Sequence, residues 1–168
     1  YRKGKQILRT RDEGDHVTRY THLGGNNYQV KAIFDSNPGE HFYGLGQEQE
    51  DQFDRKGCTC NIMHYNTKST MPVLYSSLGY GFLWNNPSPG RCETTFNHTM
   101  WVADNAYQID YLVYVGDTPA DVMKIYCDLT GYAPKFPQWA AGFWQSKLRY
   151  ESQDDLLEVA REYKRRGL

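Results

Sequence analysis

Up to Val115 the chain reads as short strands broken by glycine and turn residues, two of them with apolar and polar residues alternating at a period of two, and the period then changes to that of a helix. At residues 28–34, Tyr28, Val30, Ala32 and Phe34 alternate with Gln29, Lys31 and Ile33, which predicts a strand. The alternation is clearest at residues 108–115, where Ile109, Tyr111, Val113 and Val115 share one face and Gln108, Asp110, Leu112 and Tyr114 the other. Further strands are expected at residues 41–47, 61–65, 71–75, 79–84, 94–97 and 99–103, with fainter candidates at 6–8 and 16–22. Turn signals separate them: Arg11-Asp12-Glu13-Gly14, Gly24-Gly25-Asn26-Asn27, Asp35-Ser36-Asn37-Pro38-Gly39 and Asn85-Asn86-Pro87-Ser88-Pro89-Gly90. Many short strands joined by such turns imply an all-β sandwich or barrel.

Helical signals follow. Asp117-Thr118-Pro119 supplies an N-cap and a first-turn proline, Val122, Ile125, Tyr126 and Leu129 make one helical face, and Gly131 stands past the end. A second helix is capped by Ser152, with Asp155 three residues on. Its apolar face is Leu156, Leu157, Val159, Ala160 and Tyr163, and Lys164, Arg165 and Arg166 lie at its negative end. Between the helices, residues 136–150 read FPQWAAGFWQSKLRY. The apolar run from Trp139 to Trp144 suits a strand covered on both faces, and Gln145, Ser146, Lys147 and Arg149 follow it directly. A buried strand ending in polar side chains and feeding a helix is how an α/β barrel presents ligand-facing residues, though a linker carrying a buried strand reads the same.

Composition narrows the partners. With 19 basic and 20 acidic residues and a formal charge of -1, the chain has no footprint for nucleic acid or an anionic membrane. No apolar window approaches the length of a membrane span and YRKGKQILRT has no hydrophobic leader core, so a cytoplasmic location is favoured. Aromatic residues make up 15%, which suits both sheet surfaces and the stacking of sugar rings. Cys58, Cys60, Cys92 and Cys127 lack the spacing of a zinc site and are too few for a disulfide framework, so reduced thiols and no metal or cofactor are expected. Asn97-His98-Thr99 matches the glycosylation acceptor, a pattern short enough to occur by chance. Residues 48–56, EQEDQFDRK, are polar and aperiodic. Glu48, Glu50, Asp51 and Asp54 lack calcium-loop spacing, and a solvated surface loop is expected.

The motifs FYGLGQ, YNTKSTMPVLYSSLGYGFLWNNP, YLVYVGDTPADVMKIYCDLTG and PQWAAGFWQSKLRYESQDDLLEVAREYKRRGL follow one another over roughly residues 40–168. In type and order they resemble glycoside hydrolase family 31, with wording nearest its α-xylosidases and α-glucosidases second. The resemblance implies a mainly β chain: a galactose-mutarotase-like antiparallel β-sandwich over residues 1–131, then the first βα unit of a truncated (β/α)8 barrel over 132–168. It also implies a retaining α-glycosidase acting on terminal α-linked xylose or glucose of oligosaccharides. Retention needs two carboxylates about 5 Å apart across the scissile bond. The family places both aspartates on later barrel strands, so this chain is expected to lack them and to be inactive alone.

By the same resemblance the first barrel strand ends near the sugar pocket, which makes Arg149 and Tyr150 candidate substrate contacts. A loop lent by the sandwich to the pocket rim would come from residues 47–66, with Asp54 and Asn66 as candidates. Two other readings stand beside this one. A freestanding carbohydrate-binding sandwich accounts for the aromatics, and an interaction module would use an exposed barrel strand at residues 140–145, whose unpaired edges invite self-association.

Overall fold

The computed structural model describes residues 1–11, 18–49 and 51–168. It divides into two compact units, Tyr1–Tyr132 and Ala133–Leu168.

The first unit is built from two antiparallel sheets. One contains β1 (Arg19–Gly24), β2 (Asn27–Asp35), β4 (Thr59–Ile62), β7 (Gly90–Thr94) and β8 (His98–Ala106), in the order β1-β2-β8-β7-β4. The other contains β3 (Phe42–Gln47), β5 (Ser69–Ser76), β6 (Tyr80–Trp84) and β9 (Tyr111–Val115), in the order β3-β5-β6-β9. Their inner faces share one core. From the first sheet come Val30, Phe34 and Trp101, and from the second Phe42, Leu74 and Phe82. Phe82 stacks on Trp101 with ring centroids 5.0 Å apart, so the alternation read at residues 28–34 becomes contact between sheets. Ile33, on the opposite face of β2, packs with Met100 and Val102 in a smaller cluster.

The motif FYGLGQ is a bulged strand. Pairing of β3 with β5 shifts register between Gly44 and Gly46, and Leu45 takes a left-handed φ of 65° with its side chain fully buried. Such a φ is uncommon for a branched residue, and the bulge holds it there because it turns Leu45 into the core. Gly46, at φ 88°, lies so close to the Ser69 carbonyl that a Cβ would overlap it.

Helix α1 (Pro119–Thr130) starts at Thr118, whose Oγ1 accepts from the Asp121 amide while the Thr118 amide donates to the Asp121 carboxylate. It packs on β9 and β6, burying Val122. Gly131, at φ 96°, ends it. Beside it the Tyr114 ring lies over Gly81, where any Cβ would strike the ring.

Several expectations shift. The candidate at residues 6–8 is not a strand, although Ile7 is buried in the core. Of the candidate at 16–22, residues 19–22 open β1, and 16 and 17 lie outside the described residues, as do 12–14 of the first charged turn. The strand expected at 94–97 lies earlier, because Gly90–Thr94 pairs with β4 and β8 and Thr95 begins the turn that follows. Its Arg91 and Glu93 mask the alternation of Cys92 and Thr94, both fully buried.

The second unit contains a 3₁₀ turn, Gln138–Ala141, and helix α2 (Gln153–Arg165). Ser152 Oγ accepts from the Asp155 amide, 3.1 Å away, as its spacing suggested. The strand expected over residues 139–144 is not formed. A parallel strand takes its hydrogen bonds from neighbours, and without them local geometry prevails: the Trp144 indole donates to the Ala140 carbonyl at 2.8 Å. Trp139, Phe143 and Trp144 are exposed as a result. The open strand edge expected to invite self-association is thus not formed, and exposed rings stand in its place.

Candidate functional site

The sandwich places its candidates on two loops. Asp54 sits in the β3–β4 connection and is fastened there by three donors. The His41 ring nitrogen Nδ1 donates to Oδ2 at 2.6 Å, and the amides of Phe42 and Lys56 donate to Oδ1 at 3.1 and 3.0 Å. Burial pushes this carboxyl upward, but the bonds from His41, Lys56 and Phe42 outweigh burial and hold it below the usual carboxylate range. Asp54 is therefore ionised near neutrality and pins the loop back onto β3.

Asn66 belongs to the tight turn between β4 and β5, closed by the Lys68 amide donating to the Tyr65 carbonyl at 3.0 Å. Thr67 takes φ 71° there, and Asn66 is exposed at the tip. No hydrogen bond or ion pair joins Asp54 to Asn66 among the described residues.

The loop after β3 is less solvated than its composition implied. The Glu48 side chain is buried, only 2% exposed, and forms an ion pair with Lys68. Gln47 pairs with Ser69 in the register of β3 and β5, so their chain neighbours Glu48 and Lys68 meet where the two strands leave the sheet. Hydrogen bonding to Glu48 and Tyr65 raises the Lys68 ammonium, which also lies 5.5 Å over the Tyr65 ring. Asp51 is exposed, and Glu50 lies outside the described residues.

Lys56 was not singled out from the sequence. Its ammonium reaches Ser36 Oγ and sits 4.9 Å over the Phe42 ring. Desolvation lowers its pKa despite the nearby charges of Glu40 and Asp54. These partners lie up to twenty residues away along the chain, so no local spacing pointed to them. An aromatic cluster borders the same loop: Tyr43 lies 4.9 Å from Phe53 and 6.1 Å from Tyr75, ring centre to ring centre.

The second unit carries Arg149 and Tyr150. Arg149 is exposed. Tyr150 lines a cavity of about 430 Å³ with Phe143, Gln145, Leu156, Val159 and Tyr163. The Tyr163 hydroxyl donates to Gln145 Oε1 at 2.7 Å, and Gln145 Nε2 donates to the Tyr150 hydroxyl at 3.4 Å. Lys147 places its ammonium 5.1 Å above the Tyr150 ring. The cavity thus combines apolar walls, a tyrosine–glutamine–tyrosine relay and a nearby cation, a set that can hold hydroxyl groups. None of the described side chains that line it is a carboxylate. Among the described residues of the whole chain, no cluster of three or more His, Cys, Asp or Glu is arranged to hold a metal ion. Among the described residues, no helix is long and apolar enough to cross a membrane.

Comparison with known proteins bears on both units. Residues 1–93 match the model of the glycosyl hydrolase 31 N-terminal galactose mutarotase-like domain. The chain is 40% identical over 146 residues to an uncharacterised family 31 glucosidase, ORF2, of Pseudescherichia vulneris, an alignment covering 87% of this chain and 28% of that protein. It is 38% identical over 152 residues to an α-xylosidase of Saccharolobus solfataricus, covering 85% and 21%. Among solved structures it resembles a GH31 α-xylosidase from a soil metagenome complexed with xylose, with 46% identity and a TM-score of 0.75 over 90% of this chain and 22% of the other. A xylosidase from Aspergillus niger gives 30% identity and a TM-score of 0.75, over 94% and 22%. The chain thus spans only 21 to 28% of the length of these four proteins.

Proposed function

We propose, because the chain belongs to glycoside hydrolase family 31, that it forms the front part of a retaining α-glycosidase that removes terminal α-linked xylose or glucose from oligosaccharides. The observation that carries this reading is the 46% identity, over 90% of the chain, to an α-xylosidase complexed with xylose. In this reading the sandwich ends at Gly131, and residues 132–168 open the catalytic barrel. The run at 139–144 becomes a strand once parallel neighbours supply its hydrogen bonds.

Two carboxylates about 5 Å apart would perform the chemistry, one attacking the anomeric carbon and one protonating the leaving oxygen. Both belong to the part of the enzyme that this chain does not span. The chain's own residues bind and position. The Arg149 guanidinium donates to ring hydroxyls, and Tyr150, oriented by Gln145 and by the cation of Lys147, contacts the sugar beside it. Asp54 and Asn66 act from the rim: Asp54 keeps its loop in place and has acceptor capacity left on Oδ2, while Asn66 offers a donor and an acceptor at an exposed tip.

The test compares this chain with a version extended through a full barrel, measuring sugar release from aryl α-xyloside and aryl α-glucoside. Activity of the extended protein alone is the expected result, and the better substrate names the specificity. Turnover by the 168-residue chain itself would overturn the assignment of chemistry to the missing part. In the extended enzyme, Arg149→Ala is expected to weaken substrate use by roughly 10- to 200-fold, the range of 1 to 3 kcal/mol of pocket contact.

A further inference from the structure

In the first unit, an open cleft of about 810 Å³ is lined from both sheets by the ends of β6 and β8, the start of β2 and the connection leading to β9. Its volume lies in the range of small-molecule sites. Its polar lining is almost wholly carboxamide. Five amide side chains line it, including Asn85, Asn105 and Gln108, together with the single carboxylate of Asp110, and it holds no Lys, Arg or His.

Part of this polar set is already engaged. Asn85 Nδ2 donates to Asp110 Oδ2 at 2.7 Å, which fixes one wall and leaves the Asn85 carbonyl oxygen without a side-chain partner. The side-chain amides of Asn105 and Gln108 make no hydrogen bond to other described residues. Trp84 also lines the cleft, and its indole N–H is buried without an acceptor among the described residues. A buried donor left unpaired costs about 1–3 kcal/mol, so a native structure that keeps one invites a ligand or water acceptor. Across the opening Tyr107 presents a ring that is 74% exposed.

We propose that this cleft binds a neutral oligosaccharide. A carboxamide offers a donor and an acceptor side by side, as neighbouring sugar hydroxyls require, and an exposed tyrosine ring accepts the apolar face of a pyranose. The absence of any cation together with the Asp110 charge disfavours phosphorylated or acidic ligands. The site is built wholly from the first unit and does not depend on the glycosidase reading.

The test follows the isotopically labelled chain by NMR during titration with maltotriose and, separately, xylotriose. Saturable shifts of the Trp84 indole N–H and of the Asn105 and Gln108 side-chain amides are expected with at least one of them. In the Tyr107→Ala/Gln108→Ala double variant, both side chains being at an open surface, affinity should fall by about tenfold or more while the rest of the spectrum stays dispersed. No saturable shift with either sugar, shifts unchanged in the double variant, or shifts confined to residues 143–163 would each overturn the proposal. Binding here together with an inactive barrel-extended enzyme would retain the cleft and reject the glycosidase reading, and the converse result would do the opposite.

Discussion

The Tyr80 hydroxyl donates to the Glu40 carboxylate at 2.7 Å in the interior of the sandwich, where neither residue is more than 2% exposed. Ser76 Oγ donates to the same oxygen at 2.5 Å, and the amide and side chain of Asn37 donate to the other at 3.2 Å each. A buried charge is tolerated only when its lone pairs are met, and here four donors meet them. Tyr80→Phe removes one charge-assisted bond and should lower stability by roughly 1.5–3 kcal/mol, read as a lower urea midpoint with unchanged slope.

Tyr114 gives the opposite case. Its hydroxyl is buried without a partner among the described residues, and burial pushes the phenol up to about 12. Tyr114→Phe keeps the ring over Gly81 and removes an unpaired group, so stability should stay level or rise by up to about 1 kcal/mol. A clear loss of stability in the same urea experiment would show that the hydroxyl does have an acceptor.

Acid should weaken the sandwich through Asp35 and Asp54. Burial raises Asp35, but Arg9 and Arg11, which donate to its two oxygens, bring it below its ordinary value, as His41 and two backbone amides do for Asp54. Each folded value is depressed, so the stabilisation is present in full above the unfolded value of about 3.9 and is lost as pH falls through the folded one. Urea midpoints should therefore drop as pH falls below about 4, and Asp54→Asn should flatten that dependence.

Gly46→Ala would force a Cβ against the Ser69 carbonyl at a left-handed φ of 88°. Roughly 1–3 kcal/mol of destabilisation is expected from overlap and strain, with loss of the β3–β5 bulge visible as altered amide exchange at Leu45. Thr118→Ala, by contrast, should cost only about 1 kcal/mol, because it removes the cap of α1 and no core contact.

The exposed rings of the second unit predict behaviour in solution. Trp139→Gln, Phe143→Gln and Leu148→Gln combined should shift light-scattering masses toward the monomer if these exposed apolar side chains drive association. Equal monomers before and after substitution would remove self-association from the reading.

Much of the sandwich was legible because a strand with one more deeply buried face tends to alternate, as Val30, Ala32 and Phe34 do in β2, and because glycine and turn residues punctuate the strands, as Gly79 does before β6. The caps were legible for the same local reason, since Thr118 and Ser152 bond to amides three residues on. Where short-range pattern and long-range pairing diverged, the reading failed. Cys92 and Thr94 carried too little contrast against Arg91 and Glu93 to mark β7, and Trp139, Phe143 and Trp144 carried a strand's composition without the neighbours that make a strand.

The site divides along the same line. Arg149, Tyr150, Asp54 and Asn66 were reached through a motif resemblance, while their surroundings came only from the fold: the His41 bond that fastens Asp54, the Glu48–Lys68 pair and the Gln145 contact to Tyr150. By itself the sequence determined the mainly β class, the helix limits and, through its ordered motifs, the family resemblance that implied a sandwich, because period, caps and motifs are local properties of the chain. Tertiary structure alone decided that Glu40 lies buried among four donors, that Leu45 turns inward at a bulge and that five amides converge on one cleft. Those facts depend on which distant segments meet, and the energy that selects the meeting is shared across the whole core.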